Sequence, residues 1–196
     1  MGSVFPQRKS PRLIGYDYTL AGAYFVTICS HERTHLFGQV QADTMVLNIA
    51  GEIAAARWLA LPEHHFGIEL DAFVVMPNHV HGIIVLVGTT PASSGVASSG
   101  VASSGVASSG TTTPADRVSK TAGRAPTSSG SLGAVVGSYK SGVTRRIRES
   151  RNDPALQIWQ GRYHDHIIRS ESALVKIQRY VTNNPAQWQE DTFFAP

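Results

Sequence analysis

The chain predicts an α+β fold in which an antiparallel-rich sheet carries helices mainly on one face and a further helix follows near the C-terminus. Three observations lead there. Runs rich in β-branched and aromatic residues, of strand length, occur at 23–30, 68–78, 79–88 and 158–169. Stretches of helical character follow at 49–65, 132–150 and 171–184. Their order is strand, helix, strand, strand, helix, strand, helix, a split β-α-β pattern. A length of 196 residues with 42% hydrophobic content is enough for one domain with a real core.

The elements are justified in turn. "AYFVTICS" (23–30) is the first strand, and "GQVQADTMVLN" (38–48) reads as a short hairpin. Asn48 caps a helix running through "IAGEIAAARWLALPEHH", with Ile49, Ile53, Ala56 and Ala60 recurring on one side. "IELDAFVVMPN" (68–78) is the second major strand, Pro77-Asn78 makes a turn, and "HVHGIIVLVG" (79–88) is the third. "LGAVVGSYKSGVTRRIRES" (132–150) reads as a helix with a basic end, and "IWQGRYHDHIIR" (158–169) as the fourth strand. Ser170 caps the last helix, and Pro185 limits it by disfavouring helical geometry at Asn184.

Between the third strand and the basic helix, "VASSG" occurs three times in tandem at 96–110. Small, polar, Gly-rich residues bury too little apolar area to offset chain entropy, so 89–130 is expected to be a flexible insertion. A long loop adds little closure entropy, and two halves can still build one core. The expected organisation is a basic arm at 1–22, a first half at 23–88, the insertion at 89–130 and a second half at 131–196.

Charged residues are only 16% and the net charge is +3, with a pI near 9.2, a mild basic bias compatible with nucleic acid. Cys29 is the single cysteine, which excludes an intrachain disulfide, and its apolar setting makes it core filler. "MGSVFPQRKSPR" lacks the apolar region of a signal peptide, and no apolar stretch is long enough to span a bilayer. A soluble, cytoplasmic protein without a membrane partner is expected.

Chemistry concentrates in "MPNHVHGIIVLV" (76–87). With a side-chain period of two, His79 and His81 share a strand face, roughly 7 Å apart. Val80, Ile84 and Leu86 point the other way. Two convergent imidazoles suit a divalent metal, and with oxygen ligands they can hold manganese or magnesium. The competing reading is a pair of hydrogen-bonded surface histidines. His164 and His166 repeat the spacing, but Asp165 between them would face the opposite side of the sheet and be costly to bury without a partner. The "EHHF" stretch at 63–66 reads as a polar helix end.

On the last helix Leu174, Ile177 and Val181 form the buried stripe. Tyr180 and Asn184 lie on its flank, about 40° and roughly 6 Å apart. Asn184 can complete a His79/His81 metal site while Tyr180 aims its hydroxyl at the bound group. The competing reading has Tyr180 packing at the helix edge and Asn184 capping it. A phenol, with pKa about 10, needs a polarised target and nearby positive charge to act as a nucleophile. Tyr139, beside Lys140, looks more like a DNA contact, and Tyr163 is the alternative nucleophile. Lys140, Arg145, Arg146, Arg148 and Arg151 crowd one helix and its exit, among Ser138, Ser141 and Thr144. Arg8, Lys9 and Arg12 form a basic N-terminal arm. Cations among hydroxyls suit phosphate contacts, although a charge run is also what a solvated face looks like.

"MPNHVHGII", "SYKSGVTRRI", "IWQGRYHDHIIR" and "IQRYVTNNPAQW", in that order, resemble the single-tyrosine HUH transposases, and within them the REP-associated branch. The resemblance covers nearly the whole chain except the insertion. It implies a ferredoxin-like fold and cleavage of single-stranded DNA beside REP-like hairpins through a 5′-phosphotyrosine on Tyr180. His79, His81 and Asn184 are the implied ligands of a divalent Mg or Mn ion. Relatives usually carry Gln at the Asn184 position, one methylene longer. The implied state is monomer or homodimer. Two other functions compete with strand transfer: an inactive hairpin-binding module, and a nuclease in which the metal site activates water.

Overall fold

The sheet is assembled from both sides of the predicted insertion. In the computed structural model, which describes Leu13, residues 15–87 and residues 130–194, its strands are β1 (Gly22–Cys29), β4 (Ile68–Met76), β5 (His79–Leu86) and β6 (His164–Ile168). They lie in the order β4-β5-β1-β6, and every neighbouring pair is antiparallel. A separate hairpin joins β2 (Gly38–Gln41) and β3 (Thr44–Leu47). The helices are α1 (Ile49–Leu59), α2 (Leu61–His64), α3 (Leu132–Arg151) and α4 (Glu171–Asn183). This is the α+β, ferredoxin-like arrangement expected. Arg8, Lys9, Arg12 and, apart from Gly130, the segment 89–130 lie outside the described residues. Among the described residues no helix is long and apolar enough to cross a membrane.

Alternation along the strands sorts the molecule into two layers. Tyr24, Val26 and Ile28 of β1 and Val80, Ile84 and Leu86 of β5 join the large core beneath α1 and α3. The opposite face contributes Phe25 and Ile83, which pack against Ile177 and Val181 of α4. Caps fix the helix starts: Asn48 Oδ1 accepts from Gly51 N–H, Ser131 Oγ from Ala134 N–H and Ser170 Oγ from Ala173 N–H.

Four local expectations are corrected. The first helix does not run unbroken to His65; it ends at Leu59 and resumes for one turn at Leu61. Pro62 has no N–H to donate back to Trp58, so the ladder breaks there. Its buried side is Ala50, Gly51, Ala54 and Trp58, while Ile49 is 69% exposed. Trp58 decides the face: its ring stacks on Phe73 and meets Tyr139 edge-on. Gly82 makes room for it, since a Cβ there would lie 2.2 Å from Trp58 Cζ2.

The fourth strand is shorter than 158–169 because its first part is strapped to α3. Lys140 Nζ donates to Gln160 O at 2.6 Å, and Trp159 Nε1 donates to Lys140 O. Only an isolated bridge between Ser30 and Trp159 remains of pairing there. Tyr139 is not a surface residue but 2% exposed, its hydroxyl donating to Ala54 O. Burial of the His79/His81 face is the fourth correction and is taken up with the site.

Candidate metal centre and nucleophile

β5 begins at His79 because Pro77-Asn78 turns the chain straight back from β4, so Met76 pairs with His79 and Val74 with His81. On the other side His79 pairs with Cys29 and His81 with Thr27. Both imidazoles point to the α4 side and are closed over, at 0% and 1% exposure. The sequence left that face open because the cover comes from residues distant in the chain. After α4 a 3-10 helix (Pro185–Glu190) carries Trp188, Asp191 and Phe193 back over the strand start. The Phe193 ring lies 4.9 Å from that of His79 and 5.7 Å from that of His81.

Each imidazole is oriented through Nδ1. Asn78 Nδ2 donates to Phe193 O at 2.8 Å, which leaves Asn78 Oδ1 as the acceptor facing His79. His79 Nδ1–H therefore donates to it at 2.8 Å. The proton sits on Nδ1, and Nε2 keeps its lone pair. His79 Nε2 is buried with no hydrogen-bond partner. His81 Nδ1 lies 2.8 Å from Thr27 Oγ1, and its Nε2 lies 3.2 Å from the Tyr180 hydroxyl. Burial, then the charge of Arg33, pushes the His79 pKa down to about 3. Burial and then His79 drive His81 down as well, against a weaker upward pull from Asp191. Both rings are neutral at neutral pH, the form that binds metals.

Tyr180 and Asn184 converge on the same place. The Tyr180 hydroxyl donates to Asp191 Oδ2 at 3.3 Å, and Asn184 Nδ2 donates to the same oxygen at 2.6 Å. His79, His81 and Asp191 each offer one ligand atom, all within 4.8 Å of one another. Asn184 is 1% exposed and its Oδ1 has no hydrogen-bond partner. Two neutral imidazoles, a carboxylate and two orphaned buried acceptors fit a divalent cation; nothing else among the described residues satisfies them. Burial, and after it Asp191, holds the Tyr180 phenol well above its ordinary pKa, while Asn184 pulls the other way.

The other candidates lie elsewhere. His164 is exposed and His166 half-buried. Asp165 is buried, on the opposite face, where it accepts the Tyr18 hydroxyl at 2.6 Å. Tyr163 packs on the core beneath α1 and α3, away from the histidines. Burial raises the Cys29 thiol to about 11, which keeps it protonated. On α3, Lys140 and Arg148 reach main-chain oxygens of 156–161, Arg148 Nε donating to Leu156 O at 2.9 Å. Arg146 pairs with Glu149 at 3.6 Å across an exposed helix turn, a contact of little energetic weight. Arg145 is exposed, and with Lys140, Ser141, Thr144, Arg148 and Trp159 it lines an open cleft of about 670 Å³.

Sequence reasoning missed Asp191, Asn78, Thr27 and Arg33. Asn78 was legible as a side-chain acceptor next to a candidate ligand. Asp191 and Arg33 carried no such signal, because neither shares an element with the histidines.

No family model matches the chain. An uncharacterized protein of Haemophilus influenzae strain Rd is 32% identical over 187 residues, spanning 95% of this chain and 93% of that protein. Among solved structures, a REP-associated tyrosine transposase bound to a REP hairpin superposes with a TM-score of 0.53 at 16% identity. The match covers 90% of this chain and 74% of that one. That likeness is one of fold. A proposed transposase of Deinococcus radiodurans aligns more loosely, with a TM-score of 0.43 at 17% identity over 88% of this chain and 95% of its own.

Proposed function

The chain belongs to one family with the Haemophilus influenzae protein and has the fold of a REP-associated tyrosine transposase, and from that premise we propose that it cleaves and rejoins single-stranded DNA beside hairpins, using Tyr180 as the nucleophile. One observation carries the reading: the Tyr180 hydroxyl lies 3.2 Å from His81 Nε2, at the edge of a buried His79/His81/Asp191 group. A lone tyrosine at a helix edge has no reason to meet that donor set.

In the proposed reaction the Tyr180 oxygen attacks a backbone phosphorus. A phosphorus–tyrosine bond forms and the bond to the 3′ oxygen breaks. The phenolic proton leaves toward Asp191 Oδ2, to which the hydroxyl donates at 3.3 Å, and the departing 3′ oxygen takes up a proton. Attack by a 3′-hydroxyl on the phosphotyrosine reverses the step and rejoins strands, so no nucleotide cofactor is required. His79 Nε2, His81 Nε2 and the Asp191 carboxylate would hold a divalent Mg or Mn ion, with Asn184 Oδ1 as the further oxygen. When bound, that ion withdraws charge from a phosphoryl oxygen and offsets the Asp191 charge that keeps the phenol protonated. All these groups come from one chain.

Arg145 and Arg146 offer exposed cations for backbone phosphates. Lys140 and Arg148 line the same helix but also brace 156–161. Arg8, Lys9 and Arg12 are proposed to extend the contact as the basic arm. Such contacts govern affinity and weaken with salt.

The test is labelled hairpin DNA incubated with Mn²⁺ or Mg²⁺ and run on a denaturing gel. The expected result is a denaturant-resistant protein–DNA adduct that disappears with chelator, in Tyr180→Phe and in His79→Ala. Nicking that persists in Tyr180→Phe would assign the site to water activation. Binding without adduct would assign the protein to the inactive hairpin-binding class.

A further inference from the structure

We infer that Arg33 is the residue that binds the scissile phosphodiester beside Tyr180, a role that rests on the strand-transfer reading. Arg33 follows β1 in a tight turn where Glu32 and Arg33 both have positive φ, 52° and 55°. Left-handed backbone at two consecutive non-glycine residues is costly and persists where the surroundings hold it. The turn is held: Arg33 N–H donates to Ser30 O and Thr34 N–H to His31 O. It aims the guanidinium over the Phe193 ring, 5.2 Å from its centroid. That ring in turn covers both imidazoles. Among the described residues the side chain's one hydrogen bond is a long one, from Nη1 to Thr192 O at 3.4 Å. Among the described residues no carboxylate lies within ion-pair distance of it.

A cation without an ion-pair partner among the described residues therefore stands at the rim of the site, seated on an aromatic ring that lies over both imidazoles. A phosphodiester that enters the His79/His81/Asp191 group beside Tyr180 meets the Phe193 ring over the imidazoles, and its displacement would release the guanidinium. The planar fork then meets two non-bridging phosphate oxygens, the geometry for which it is suited. The exposed cations of α3 carry no comparable link to the nucleophile.

The experiment crosses the residue with the phosphate charge. Hairpin oligonucleotides carry either a normal linkage or a neutral methylphosphonate at the bond that the wild-type protein cleaves. Binding is measured with Mn²⁺ in the Tyr180→Phe background, with Arg33 and with Arg33→Ala. A charge-assisted contact predicts that neutralising the linkage weakens the Arg33 protein about 10- to 100-fold and the Arg33→Ala protein less than about twofold. In the Tyr180 background, single-turnover adduct formation should fall by about 100-fold in Arg33→Ala and recover in part in Arg33→Lys. Arg33→Gln, which keeps a polar end and the first part of the stem without the charge, repeats the comparison should the alanine protein not fold. Equal methylphosphonate penalties in both proteins would overturn the assignment, as would a Phe193→Ala protein that reproduces Arg33→Ala, because then Arg33 only fastens the ring. Absence of any wild-type adduct would sink the strand-transfer reading itself, and the role of Arg33 with it.

Discussion

Asn78→Ala should damage the proposed metal centre without removing any of its proposed ligands. The Asn78 amide makes two hydrogen bonds, both at 2.8 Å: it donates to Phe193 O and accepts from His79 Nδ1. Alanine removes both and strands the His79 N–H at a position with 0% exposure. Two lost bonds at about 1 kcal/mol each, plus an unsatisfied buried donor, amount to about 2–4 kcal/mol of stability. In a chain of this size that is a fall in Tm of roughly 5–15 °C. The imidazole also loses the acceptor that fixes its tautomer, and such outer partners are worth about 10- to 100-fold in metal affinity. Isothermal titration with Mn²⁺, alongside thermal unfolding in chelator, reads both effects. Asn78→Asp keeps an acceptor for His79 and should recover most of the affinity. An Asn78→Ala protein that binds Mn²⁺ as tightly as wild type would refute the reasoning, since His79 Nε2 would then need no orientation to act as a ligand.

Three further outcomes follow from the same geometry. Asp191→Asn should weaken Mn²⁺ binding at least about tenfold and, in the metal-free protein, shift the Tyr180 phenol titration to lower pH, because Asp191 is the main charge raising it after burial; ultraviolet difference titration reads the second effect. Gly82→Ala should destabilise by about 1–3 kcal/mol or more, as its Cβ would lie 2.2 Å from Trp58, and urea midpoints will show whether Trp58 can move aside at less cost. In chelator, stability should be complete above about pH 6.5 and decline as pH falls toward 3. The reason is that the unfolded chain protonates a histidine near 6.5 while folded His79 stays neutral to about 3. The slope is about 1.4 kcal/mol per pH unit for one such histidine, up to twice that with His81, and urea unfolding between pH 7 and 4.5 measures it.

Reading the residues alone located every major strand and helix to within a few positions, with one exception: β6 proved much shorter at its start than the apolar pattern implied. Strand and helix signals are local, carried by periodicity, caps and turn residues, which is why Asn48, Ser170 and Pro77-Asn78 could be read directly. The face of α1 could not. Its apolar residues recur on more than one side, and only the packing of Trp58 into the space above Gly82 chose between them. The same limit explains Tyr139, whose basic sequence neighbours say nothing of the core it fills.

Within the site, the spacing of His79 and His81 fixed a shared strand face, and that of Tyr180 and Asn184 a shared helix flank; period two and period 3.6 are set by backbone geometry and need no partner. What faces what is a different kind of fact. Asp191 joins the histidines, Arg33 covers Phe193 and Asn78 sets a tautomer only because the chain reverses after α4 and returns its last turn over the start of β5. Periodicity orders side chains within one element, whereas contacts between elements depend on the crossing of whole segments.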